Sequence, residues 1–265
     1  MKKRVISAAV FIAIAGTMVL ASSVTRVLLF VICSLLSCWE MKKALSKLEL
    51  KVQIWAPFAI CVVCTYLIIS NRAGYAFPVF MIILVALFAQ MIMGHSLGVK
   101  DVMATLAVCA YPASPLMLLA YIANSELLWA AVLLNSILPA VISDTFALFG
   151  GMLFGKHKLA PTISPKKTVE GLISGVIMGT LSGFAVHGIL SAFDMCVIPL
   201  WAEIIASFLA ALAGALGDLA ASAFKRESGI KDYSNLIPGH GGMLDRIDSE
   251  LFAMPVVYML YALFV

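Results

Sequence analysis

The chain has 265 residues, 63% of them hydrophobic and 12% charged, with mean hydropathy +1.05 and a formal net charge of +4. So little polar surface excludes a soluble globule, and apolar runs without two-residue alternation argue against an outer-membrane barrel. What remains is an all-α fold, a polytopic integral membrane protein. No linker, low-complexity block or internal repeat divides the chain, so residues 1–265 read as a single membrane-embedded unit. In chain order the apolar segments fall near 5–22, 27–39, 53–70, 76–93, 102–122, 127–150, 171–192, 196–217 and 250–264, about nine spans. The second and the last are short for a crossing and suit tilted or interfacial helices.

Charge placement tests this map, because basic residues are retained in short cytoplasmic loops. With the N-terminus cytoplasmic, all but two of the 18 Lys and Arg residues fall on the inner side, and only Arg26 and Arg72 lie outside. The nine spans take the first segment as retained. Its basic start, apolar stretch and small residues also fit a cleavable signal peptide, whose loss would leave eight.

The six cysteines fall within or at the ends of apolar segments, where Cys packs as a small hydrophobe. Cys61 and Cys64 form a C-x-x-C without a second pair or a nearby histidine, so packing is expected over metal or redox work. His95 and His187 stand alone in sequence and read as loop or interface histidines.

The informative charges lie in the second half. Asp144, in "NSILPAVISDTFALFGG", sits near the inner end of a span, where an ionisable group must face protein or a water-filled cavity. Beyond it, "KHKLAPTISPKKTVEG" places Ser164 as an expected N-cap and Pro165 at the first helical position, so that Lys166 and Lys167 would stand at a helix start suited to a phosphate. The eighth span ends in "GALGDLAASAFKR". Asp218, Ser222 and Lys225 or Arg226 recur there at helical spacing and share one face. After "PGHGG", Asp245 and Asp248 stand three apart at the start of the last helix.

The stretch "SAFKRESGIKDYSNLIPGHGGMLDRID", residues 222–248, resembles the signature of phosphatidate cytidylyltransferases, also called CDP-diacylglycerol synthases. "SDTFA" at 143–147 and "SPKKTVEG" at 164–171 are similar to two further blocks of that family, in the same order. On this resemblance, residues 1–75 are N-terminal helices without motifs, and 127–265 hold the catalytic helices and cytoplasmic loops. The resemblance implies transfer of the cytidylyl group of CTP to phosphatidic acid with Mg²⁺, the number of ions left open, by a homodimer. No nucleic acid is involved, and the expected location is the bacterial inner membrane with the site facing the cytosol. It implies Asp218 and Asp245 as metal ligands, with Asp248 either as an additional ligand or as a carboxylate that supports them without touching the metal. Lys225, Arg226, Lys231 and Arg246 are expected on the triphosphate or the lipid phosphate, and Lys166 and Lys167 on the CTP side. Ser222 would bind a phosphate oxygen, His240 with Gly241 and Gly242 would approach a phosphate closely, and Asp144 would order the site or hold a cation. Two other readings are a CTP-dependent kinase of a long-chain lipid alcohol and an ion-coupled transporter using Asp144 and Asp218. The cytoplasmic clustering of the acids counts against transport.

Overall fold

The computed structural model describes residues 13–94, 97–236, 239 and 241–265. Among the described residues, six stretches are long and apolar enough to cross a membrane: Ser23–Ser46, Ala73–Gly94, Val99–Asn124, Trp129–Phe154, Val169–Ala192 and Leu200–Glu227. Two shorter apolar helices, Trp55–Ile69 and Glu250–Tyr261, join them. The protein is therefore an all-α membrane protein, with large apolar side chains such as Phe77, Ile82, Leu148 and Leu153 on its outer surface, as lipid contact requires. The expected segment 5–22 is helical from residue 13 to 21, and its start lies outside the described residues. The segment expected at 27–39 is longer, Ser23–Ser46, because the capping pair formed by Ser22 and Thr25 starts the helix four residues earlier.

The chain forms two compact units, residues 1–125 with 227–246, and residues 126–226 with 247–265. In the first unit, α1 (Ser23–Ser46) packs on α2 (Trp55–Ile69) and on the end of a broken span. That span comprises α4 (Val99–Val108), one wide turn over Cys109–Ala113, and α5 (Ser114–Asn124); α3 (Ala76–Gly94) precedes it. Pro112 causes the break, since it lacks an N–H and its ring clashes with the preceding turn. Cys33, Cys38, Cys61, Cys64 and Cys109 are buried here as free thiols, and Cys61 Sγ lies 3.1 Å from Ser34 Oγ. The guanidinium of Arg26, buried at the start of α1, donates to the Ala123 carbonyl at 2.8 Å.

In the second unit, α6 (Trp129–Phe154) leads into a hairpin of β1 (Lys158–Ala160) and β2 (Ser164–Thr168), followed by α7 (Val169–Ala192) and α8 (Leu200–Glu227). A four-residue α9 (Leu244–Ile247) follows in sequence, and α10 (Glu250–Tyr261) completes the second unit. Glycines at 171, 175, 179 and 183 recur every four residues on α7. A Cβ on Gly175 would lie 2.6 Å from the Ser143 carbonyl of α6, and one on Gly179 would lie 2.7 Å from Ala211 Cβ of α8. Small residues at this spacing let helix backbones touch within a membrane. Gly175→Val should therefore cost about 1–3 kcal/mol by overpacking, read as a lower thermal transition in detergent. An equally large fall from the exposed Gly188→Val, where a Cβ would meet nothing within 4 Å, would show that close approach is not the cause.

Candidate active site

The expected helix start at Ser164 is corrected by the structure. Ser164–Thr168 is the second strand of the hairpin, and α7 is capped by Thr168, whose Oγ1 accepts from Gly171 N at 3.1 Å. Pro165 biases Ser164 to extended backbone, and β-branched Thr168 suits a strand end that doubles as a cap. The consequence is geometric: Lys166 and Lys167 project from a strand beside the helix start. Glu170, in the first turn of α7, ties the hairpin down by accepting from the backbone N–H groups of Lys156 and His157 and pairing with His157 Nδ1 at 2.6 Å.

This hairpin closes one side of a cavity of about 560 Å³ within the second unit. Its polar lining is Ser143, Asp144, Lys166, Lys167, Thr168 and Asp218, and its apolar lining includes Leu148, Met152, Leu159 and Leu172. Four of the residues singled out in the sequence thus converge. Lys167 Nζ meets Asp218 Oδ2 at 2.5 Å. Ser222, one turn further along α8, donates from its Oγ to Asp218 Oδ1 at 3.3 Å, so the shared face read from the spacing exists. Arg226 donates from Nε to the Ile163 carbonyl at 3.3 Å and links the end of α8 to the hairpin, while Lys225 sits half-buried beside it in sequence.

Asp144 lies within electrostatic reach of Asp218 and Lys167. Glu250, which sequence reasoning missed, adds charge near Asp144 and Asp248, and its Oε2 is buried without a hydrogen-bond partner among the described residues. Gly217 permits the approach of the Asp248 segment: a Cβ there would stand 2.5 Å from the Asp248 carbonyl. The Asp248 side chain accepts from Ser249 N at 2.9 Å. Several carboxylates therefore share this cluster with Lys167 as the contacting ammonium. A hard divalent cation fits such a donor set, and the orphaned Glu250 oxygen is the observation that favours one.

The rest of the signature belongs to the first unit. Asp245 Oδ2 accepts from Tyr233 N at 2.8 Å and from Gly242 N at 2.9 Å, which folds the loop back over α9. Gly241 has φ +87°, a backbone conformation that L side chains rarely adopt, and a Cβ on it would meet Asp245 Oδ2 at 2.9 Å. Lys231 and Arg246 are exposed, and His240 lies outside the described residues. The second residue missed from sequence is Glu40 near the end of α1. It is fully buried, with Oε1 accepting from Ser234 Oγ at 2.5 Å and Met243 N at 2.9 Å, and Oε2 accepting from Leu244 N at 2.8 Å. A carboxylate thus caps α9 and anchors the loop that carries Asp245.

The phosphatidate cytidylyltransferase of Staphylococcus saprophyticus is 42% identical over 128 residues, 48% of this chain and 48% of that protein. The proteins of the same name from Staphylococcus haemolyticus and Staphylococcus aureus are 40% and 41% identical over 128 residues, again 48% of each chain. The matched stretch spans about half the length of these relatives. The model of the cytidylyltransferase family matches residues 2–264, nearly end to end, and the chain belongs to that family.

Proposed function

We propose that this chain transfers the cytidylyl group of CTP to phosphatidic acid, giving CDP-diacylglycerol and pyrophosphate. The observation that carries this reading is the cavity of the second unit, where Lys166, Lys167, Asp144 and Asp218 share a wall with Leu148, Met152 and Leu172. Charged and apolar walls in one cavity suit a substrate that is half phosphate and half lipid. In the reaction, a phosphate oxygen of the lipid attacks the α-phosphorus of CTP. The new P–O bond forms as the bond to the β-phosphate breaks, and pyrophosphate leaves. The lipid supplies its own nucleophile, so the protein contributes positioning and electrostatics.

Lys166 and Lys167 hold the triphosphate of CTP. Lys225, Arg226, Lys231 and Arg246 neutralise the triphosphate or the lipid phosphate, Ser222 binds a phosphate oxygen, and His240 with Gly241 and Gly242 presents backbone to phosphate. Asp218, Asp245 and Asp248 are the residues to hold Mg²⁺, which when bound supplies further neutralisation of phosphate charge. Asp144 and Glu250 extend the carboxylate set towards a second cation. The enzyme acts as a homodimer in the bacterial inner membrane, as the resemblance implies.

The finer topology is nine spans with the N-terminus and the site on the cytoplasmic side. The Lys167–Asp218 contact supports it, because it puts the basic hairpin and the C-terminal end of α8 on one side of the second unit. Cysteines introduced at 166, 231 and 240 should react with a membrane-impermeant thiol reagent only from the cytoplasmic face. Labelling from outside sealed cells would overturn the topology.

The function is tested with purified protein, CTP and Mg²⁺, given either phosphatidic acid or a polyprenol. Pyrophosphate release that requires phosphatidic acid is expected. CDP with a phosphorylated alcohol would replace this reading with a lipid kinase, and turnover of neither lipid would favour a transporter.

A further inference from the structure

His187 does not stand alone in space. It lies near the C-terminal end of α7, Glu203 lies in the first turn of α8, and Cys196 lies in the connection between them. Glu203 is 15 residues before Asp218 on the same helix, about 22 Å at 1.5 Å per residue, so this cluster is separate from the cavity described above. Cys196 Sγ is 3.8 Å from His187 Nδ1, and His187 Nδ1 is 3.8 Å from Glu203 Oε2. One ligand atom from each residue lies within 4.8 Å of the other two. A tetrahedral zinc with bonds of about 2.0–2.3 Å sets its ligand atoms roughly 3.5 Å apart, so only a small closure is needed.

A second observation points the same way. Glu203 is 0% exposed, and neither of its carboxylate oxygens has a hydrogen-bond partner among the described residues. The Tyr261 hydroxyl stands close by; its oxygen accepts from Asn135 Nδ2 at 3.2 Å, and Asn135 Oδ1 accepts from Ser207 Oγ at 2.6 Å. Asn135 and Ser207 are thus engaged with each other, and the Glu203 carboxylate lies 3.8 Å from His187 Nδ1. A buried carboxylate without a partner is costly, and the 3.8 Å separation from His187 is too long for a hydrogen bond.

We propose that His187 Nδ1, Cys196 Sγ and a carboxylate oxygen of Glu203 bind a Zn²⁺-class divalent cation that pins the turn between α7 and α8. A thiolate, an imidazole and a carboxylate are a borderline-soft set, suited to zinc and unsuited to Mg²⁺. Three protein ligands leave a fourth position for water. Entry is open, since Cys196 is the exposed one of the six cysteines and the His187 side chain is 29% exposed. The two helices approach closely beneath it: a Cβ on Gly183 of α7 would stand 2.9 Å from Ser207 Oγ of α8.

The full-length protein in detergent, stripped with a chelator and titrated with Co²⁺, should develop tetrahedral absorption and a thiolate-to-cobalt charge-transfer band that one equivalent of Zn²⁺ abolishes. His187→Ala and Cys196→Ser should each lose that band, and Glu203→Gln should weaken binding. Absence of the band in the wild type, or its survival in His187→Ala, would overturn the site. A wild-type measurement guards against variants that misfold: Zn²⁺, but not Mg²⁺, should slow alkylation of Cys196 on the order of 10-fold by withdrawing its thiolate. An alkylation rate indifferent to Zn²⁺ is equally fatal to the proposal.

Discussion

Asp218→Asn is expected to lower turnover on the order of 100-fold or more while the protein still inserts and purifies, as the loss of one preorganised electrostatic contact does in other active sites. The geometry makes this variant informative. Asn preserves the shape and can still accept the Ser222 hydrogen bond, but it removes the negative charge that meets Lys167 and that would hold Mg²⁺. Were the Lys167–Asp218 contact only an ion pair, both side chains being 28% exposed, its loss would cost about 1 kcal/mol of stability or less. Turnover would then stay nearly intact. The deciding measurement is kcat at saturating Mg²⁺, with the thermal transition recorded in the same detergent. An Asn variant that retains more than about a tenth of wild-type turnover sinks the metal assignment. Asp245→Asn is a blunter probe, because the Asp245 carboxylate also receives the Tyr233 and Gly242 amides and its loss would disturb the loop itself.

The contrast between what could and could not be read from sequence follows from distance along the chain. The face shared by Asp218 and Ser222 was legible because one helical turn fixes it, and the structure closes that contact at 3.3 Å. Helix, hydropathy and glycine spacing are equally local, and the four-residue glycine stripe of α7 is written plainly at 171, 175, 179 and 183. The hairpin was hidden because Ser-Pro reads as a helix start as readily as a strand, and only pairing with Lys158–Ala160 decides between them. Glu40 was hidden for a different reason. It falls just beyond the apolar segment 27–39, where an acid reads as a loop charge, and its partners lie some 200 positions away. His187 and Glu203 come from successive helices, and neither shows in sequence that the turn folds one onto the other.

Glu40→Ala is expected to unfasten the loop that carries Gly241, Gly242 and Asp245, with a loss of turnover on the order of 100-fold. Hydrogen bonds to a charged acceptor contribute about 1.5–3 kcal/mol each, and this substitution leaves the buried Met243 and Leu244 amides without their acceptor. Glu40→Gln should fall in between, because an amide keeps one accepting oxygen where both carboxylate oxygens are engaged. Faster hydrogen exchange at Met243 and Leu244 should accompany the loss. Glu40 is a positioning residue on this reading, and its coupling to Gly242 distinguishes that role from a general loss of stability. A Cβ at 242 would stand 2.6 Å from Glu40 Oε1 and 2.7 Å from Oε2, so Gly242→Ala should be severe in the wild type. In the Glu40→Ala background the obstructing carboxylate is gone, and adding Gly242→Ala should cost little more. Contacting residues in such cycles couple by about 0.5–3 kcal/mol, whereas independent ones add. If the two single losses simply add in the double variant, Glu40 is not what holds the glycine loop in place.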